Sequence, residues 1–204
     1  MSAAPAGLVL AAGAGTRLGG PKAIVRVGDE LLVDRAARTL QSGGCAPVIV
    51  VLGAQADEVR ATASLVAADA VVDNPDWETG MASSLRCGLS RARELGAPAA
   101  VVALVDQPGI TPAVITRLTE SWNGGAVAAV ATYGGAPRNP VLLDARVWDE
   151  VAAAATGDTG ARAWLRANPD RVVAVPCDDI AGADDIDTPE DLMLLTHRPT
   201  PEGT

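Results

Sequence analysis

An α/β fold with a mainly parallel sheet, helices on both faces, is what this 204-residue chain predicts. Apolar runs at 7–12, 47–52, 99–105 and 126–132 are short and non-alternating, as strands covered on both sides should be. Amphipathic segments of helix length, 31–42, 55–67, 81–95 and 111–122, alternate with them. Such alternation implies parallel strands joined by crossover helices. Apolar residues make up 49% of the chain with no Phe and one Tyr, so the core they build must be aliphatic.

The first strand empties into a loop of small residues, LVLAAGAGTRLGGPK at 8–22. Without large side chains, the main-chain N–H groups from Leu10 through Ala11, Ala12, Gly13, Ala14, Gly15 and Thr16 can approach an anion. Arg17 then offers a planar fork and Lys22 a compact charge, together suited to a polyphosphate. Two better-known loops are excluded. Gly15 and Gly20 have Walker spacing, but Pro21 stands where the lysine belongs. Gly13 and Gly15 open a dinucleotide fingerprint that meets Leu18 at its third glycine.

The third helical segment carries Met81, Leu85, Leu89, Ala92 and Leu95 at helical spacing, leaving Arg86, Arg91 and Arg93 to solvent. Gly80, Ser83 and Ser84 sit at its start, where hydroxyls and free N–H groups can read a base edge, bind an anion or simply cap the helix. Thr111-Pro112 and Thr188-Pro189 read as N-cap plus N1 proline pairs. Beyond residue 125 the rhythm changes. A Gly/Pro segment (134–140), the strand-like PVLLD, two short helices and a strand at 172–176 read as a subregion over the sheet edge, about 133–180, within one domain spanning 7–196. The ends, 1–6 and 197–204, read as flexible tails.

Ligands of open α/β sheets bind at the carboxyl ends of the strands. Asp106 follows VVALV directly and is a candidate Mg²⁺ ligand, alongside phosphate oxygens and water. Asp187, just before the Thr188 cap, is the candidate second ligand among the neighbouring acids Asp184, Asp185, Glu190 and Asp191. In GDTGAR, Asp158 suits a helix cap and Arg162 an anionic acceptor. Cys45, Cys87 and Cys177 make neither a disulfide framework nor a zinc pattern and read as buried residues. Trp77, Trp122, Trp148 and Trp164 read as packing, and His197 has no assigned role. A net charge of −9 argues against DNA or RNA, and no apolar run has membrane length. The N-terminus lacks a basic secretory n-region, which places the expected location in the cytoplasm.

Taken in order, LAAGAGTRLGGPK, NPDWETGMASSLRCGL, DQP, NPVLL, GDTGAR and DIDTPED resemble the molybdenum-cofactor guanylyl/cytidylyl nucleotidyltransferases over about residues 7–195. The chain is more similar to the cytidylyl branch. The guanylyl enzymes usually begin Leu-Ala-Gly-Gly with an acidic residue before the lysine, where this chain has Ala12 and Pro21.

The resemblance implies a Rossmann-like three-layer α/β/α fold of the nucleotide-diphospho-sugar transferase kind. It implies that the loop with Arg17 and Lys22 holds the triphosphate, that Ala11, Ala12 and Ser84 contact the base, and that Asp106 and Asp187 bind Mg²⁺. Asn139 and Pro140 match an acceptor-side motif in which Arg138 replaces the usual glycine. The implied reaction transfers CMP from CTP to the phosphate of molybdopterin, with an apo-molybdoenzyme or its maturation factor downstream. Alternatives are GTP or another acceptor, a non-catalytic nucleotide-binding chaperone, and a plain NAD module, the last disfavoured by the broken fingerprint.

Overall fold

The computed structural model describes residues 4–188, 190 and 191. The elements follow as β1 (Ala6–Ala11), β2 (Arg26–Val27), β3 (Glu30–Leu31), α1 (Leu32–Ser42), β4 (Val48–Leu52), α2 (Ala56–Thr62), β5 (Ala70–Asp73), α3 (Met81–Glu94) and β6 (Ala99–Leu104). Then come α4 (Pro112–Asn123), β7 (Ala128–Tyr133), β8 (Ala136–Asp144), α5 (Trp148–Ala154), α6 (Arg162–Ala167) and β9 (Val172–Pro176). Among the described residues seven strands form one sheet in the order β5-β4-β1-β6-β8-β7-β9, while β2 and β3 pair separately. Only β8 runs against its neighbours β6 and β7; the pairs β5·β4, β4·β1, β1·β6 and β7·β9 are parallel.

Period-2 geometry divides each central strand between two cores. Val9 and Ala11 of β1 and Val48, Val50 and Leu52 of β4 face one layer with Leu32, Leu40, Ile115 and Leu118. Leu8, Leu10, Ile49 and Val51 face the other with Leu85, Leu89 and Trp148. Helices therefore cover both faces, which is why these strands carry no polar alternation.

Several expectations need correction. The segment expected as one helix over 55–67 ends at Thr62, and the chain resumes as the edge strand β5. Leu95 is not part of the buried stripe: α3 ends at Glu94 and Leu95 is exposed. Cys45 and Cys177 are buried, but Cys87 is only half-buried. Asp158 does cap a helix, though not its own: its Oδ1 accepts from the Met81 N–H at the start of α3. Pro112 occupies the first turn of α4 as expected, but the Thr111 hydroxyl donates to the Ile180 carbonyl instead of capping. Arg86 reaches the Ala155 carbonyl. Pro189 and His197 lie outside the described residues.

Candidate functional site

Strand order reverses direction around β1, whose neighbours are β4 on one side and β6 on the other. Such a switch point opens a crevice at the carboxyl ends. Leu10 pairs with Leu104, and the chains then part, one toward the glycine-rich loop and the other toward Asp106. Leu10, Ala11 and Ala12 are buried, so only their main chain can serve a ligand. Gly13, Arg17 and Thr16 are exposed, and among the described residues the N–H groups of Gly13, Ala14 and Gly15 have no acceptor. Gly15 is at φ +58, and a Cβ there would lie 2.0 Å from the Gly20 carbonyl oxygen. That contact doubles the loop back on itself and delivers Lys22 to the crevice.

Lys22 Nζ donates to Asp106 Oδ2 at 2.7 Å and to Asp187 Oδ1 at 2.6 Å, across 84 and 165 residues of sequence. Arg17 stands 3.7 Å from the other oxygen of Asp187, with a largely exposed side chain. Burial by itself would lower the Lys22 pKa; the bonds to Asp106 and Asp187 and their charges outweigh it and hold it above the ordinary lysine value. Lys22 is also the sole lysine of the chain, where all fifteen other cations of this kind are arginine.

A strap of residues after β9 brings Asp187 here. Arg117 pairs through both terminal nitrogens with Asp179, and Gly109 packs so closely on Gly182 that a Cβ would lie 2.5 Å from its carbonyl oxygen. The Ile186 N–H donates to the Asp106 carbonyl, and its side chain is fully buried. The strap continues into Thr188, whose N–H and hydroxyl both donate to Asp191 Oδ2. Gln107 Nε2 donates to Asp185 Oδ1. Burial first, then the charges of Asp106 and Asp187, raise the Asp185 pKa, while Gln107 and Arg138 oppose the shift. Asp185 and Gln107 were not singled out from sequence; the acid-rich run 184–191 hides the one, and DQP reads as a turn around Asp106 for the other.

Asp106 Oδ1 is buried without a hydrogen-bond partner, so the charge of this carboxylate is balanced through Oδ2, where a cation can approach. Two carboxylates with spare lone pairs suit a hard divalent cation that completes its shell with phosphate and water. Among the described residues no group of three or more His, Cys, Asp or Glu forms a metal cluster.

Asn74 Nδ2 donates to the hydroxyls of Ser83 and Ser84, and the Ser83 hydroxyl donates within the turn to Asp76 and Gly80. Both serines are buried, so their hydroxyls anchor the start of α3 against the end of β5. Gly53 touches Trp77 and Ala12 so tightly that a Cβ would lie 2.5 Å from Trp77 Cβ, which joins this region to the loop. Gly80, at φ +103, packs on the Gly157 carbonyl and brings the GDTGAR turn to the α3 N-terminus. Arg162, the first residue of α6, is exposed. Arg138 is exposed on β8, near enough for its charge to act on Asp185, and the Asn139–Pro140 bond is cis.

A glycine-rich loop, one lysine and two acids meet at the switch point of a mainly parallel sheet, in an α/β nucleotidyltransferase fold. The chain belongs to the MobA-like NTP transferase domain family, whose sequence profile matches residues 7–174. It is 40% identical over 196 residues to nicotine blue oxidoreductase of Paenarthrobacter nicotinovorans, covering 93% of this chain and 95% of that one. Rv0371c of Mycobacterium tuberculosis superposes with a TM-score of 0.82 at 28% identity, covering 97% of this chain and all of that one. The same protein in complex with manganese gives 0.78 at 25%, with the same coverage. Molybdopterin-guanine dinucleotide biosynthesis protein A of Archaeoglobus fulgidus shares the fold, with a TM-score of 0.65 at 18% identity, covering 94% of this chain and 96% of that one. No helix among the described residues is long and apolar enough to cross a membrane.

Proposed function

We propose that this enzyme, acting in the cytoplasm, transfers CMP from CTP to the terminal phosphate of molybdopterin and releases pyrophosphate. The observation that carries the reading is the meeting of Lys22, Asp106 and Asp187 beside the open N–H groups of Gly13, Ala14 and Gly15. The loop and Arg17 hold the β- and γ-phosphates. Gly80, Ser83 and Ser84 frame the base through main chain and packing, while Arg138, Asn139, Pro140 and Arg162 line the acceptor side. Asp106 and Asp187 would hold Mg²⁺, which when bound neutralises charge on the phosphates. Lys22 adds a point charge where negative charge develops on the leaving pyrophosphate. A phosphate monoester is already ionised near neutral pH, so the attack needs positioning and not a general base. That accords with a crevice in which the described side chains offer acids and cations but no histidine. The product would pass to an apo-molybdoenzyme or its maturation factor.

Pyrophosphate release measured across the four NTPs, with and without molybdopterin, tests this. Release with CTP that depends on the pterin supports it; release with GTP instead reassigns the base, and acceptor-independent binding without release refutes transfer. The 40% identical relative, named an oxidoreductase, favours a second reading, electron transfer to a small acceptor in the same crevice. Loss of NADH or NADPH absorbance with a dye acceptor, without pyrophosphate, would select it.

A further inference from the structure

We infer that the Lys22 ammonium is the resident cation of the acid pair, holding in the resting protein the place between Asp106 and Asp187 that a divalent metal takes during turnover. The incoming polyphosphate draws the ammonium onto its own oxygens and so opens that place. This rests on the reading of Asp106 and Asp187 as metal ligands.

Three observations converge. Both carboxylates aim one oxygen at a single nitrogen, at 2.7 and 2.6 Å, so the ammonium already sits where the two acids share a cation. Asp106 Oδ1 is sealed from solvent, so a metal entering from the crevice meets Oδ2, the oxygen Lys22 holds. Magnesium bonds oxygen at about 2.0–2.1 Å, so a metal sharing that oxygen with Nζ would lie within about 4.8 Å of it. At that separation the two cations repel, and the small cleft side of Asp106, only 19% exposed, leaves little water to screen them. The third observation is compositional. A chain that uses arginine at every other such position keeps lysine here. A guanidinium is a planar fork matched to one carboxylate, whereas an ammonium is compact enough to sit as a point between two.

The consequence is a binding order. Metal alone competes with a tethered internal cation and binds weakly. Polyphosphate offers Lys22 a new partner a few residues from the loop that cradles it, and the freed oxygens then accept the metal. Metal and polyphosphate must therefore promote each other's binding by the same factor.

Because Lys22 is the only lysine, protein labelled with ¹⁵N at lysine Nζ carries one side-chain ammonium signal. Mn²⁺ alone, at concentrations below its weak binding, should leave that signal sharp. Mn²⁺ with inorganic tripolyphosphate should broaden it. In parallel, Mn²⁺ affinity without nucleotide is measured by electron paramagnetic resonance for the native chain, Lys22→Met and Lys22→Gln. Removing the ammonium should tighten Mn²⁺ binding by about tenfold or more and shrink the synergy with tripolyphosphate by a similar factor. Equal Mn²⁺ affinity in native and substituted chains overturns the exchange while leaving the metal reading intact. Absence of Mn²⁺ binding in all three, with tripolyphosphate present, overturns both. The native chain gives the answer even where neither variant folds: equal Mn²⁺ affinity with and without tripolyphosphate overturns the exchange.

Discussion

Replacing Lys22 by arginine keeps the charge and changes only its shape, which isolates what the site asks of this residue. The two oxygens that Nζ binds lie at most about 5.3 Å apart, the sum of 2.7 and 2.6 Å. Coulomb attraction at such range, about 4 kcal/mol for unit charges 4 Å apart at an effective dielectric near 20, survives the substitution. What is lost is one charge-assisted hydrogen bond to the polyphosphate, since the planar fork closes on a single carboxylate and does not pass onto the phosphates as the compact ammonium does. Such a bond is worth about 1.5–3 kcal/mol, which converts to about a 10- to 100-fold fall in kcat/KM. Lys22→Met loses the charge as well and should fall by about 10²–10³. Steady-state pyrophosphate release with Mg²⁺ reads both, and a thermal melt checks that each variant folds. Lys22→Arg within twofold of the native chain would refute the argument from compactness.

Asp106→Ala and Asp187→Ala should each lower turnover by about a hundredfold or more with the fold retained, measured by the same release assay and by circular dichroism. Gly53→Ala forces a methyl to 2.5 Å from Trp77 Cβ and 2.8 Å from the Ala12 carbonyl oxygen. Overpacking of this kind costs about 1–3 kcal/mol, and calorimetry should show weaker nucleotide binding along with a lower Tm. The raised folded pKa of Lys22 sets a pH window. Its stabilisation is complete below the unfolded value of about 10.5 and is lost as pH rises through the higher folded value. The Tm gap between native and Lys22→Met chains should therefore hold constant through neutral pH and close only in strong alkali; a gap that closes near pH 8 would contradict the placement.

The β1 loop, Asp106 and the strand–helix alternation were legible because each rests on a local pattern: small residues, a carboxylate after an apolar run, a period. Asp187 was chosen among five nearby acids only for its place before Thr188, and what secures it, Ile186 on the Asp106 carbonyl and Gly182 against Gly109, is tertiary. The strand β5 was missed because its approach, ATASLVAADA, is rich in alanine and reads as helix. It becomes a strand by pairing with β4 at the sheet edge, a non-local term that local propensity does not contain. Residues 134–140 read only as a Gly/Pro segment leading into the strand-like PVLLD. The structure extends β8 back to Ala136 because only Val141–Asp144 pairs with β6, so neither Pro137 nor Pro140, each without an N–H, breaks a ladder on that side. The position of Ser83 and Ser84 at a helix start suits a cap and a ligand equally. Asn74, nine and ten residues upstream, engages both hydroxyls, a partner no helical spacing would suggest.

Following the two ends of CTP tests the central claim most directly. With label in the α-phosphate, radioactivity should move to the pterin acceptor in the native chain and fail to move in Asp106→Ala, while γ-label leaves as pyrophosphate. Transfer of the γ-label to the acceptor, or undiminished α-transfer without Asp106, would contradict nucleotidyl transfer at this crevice.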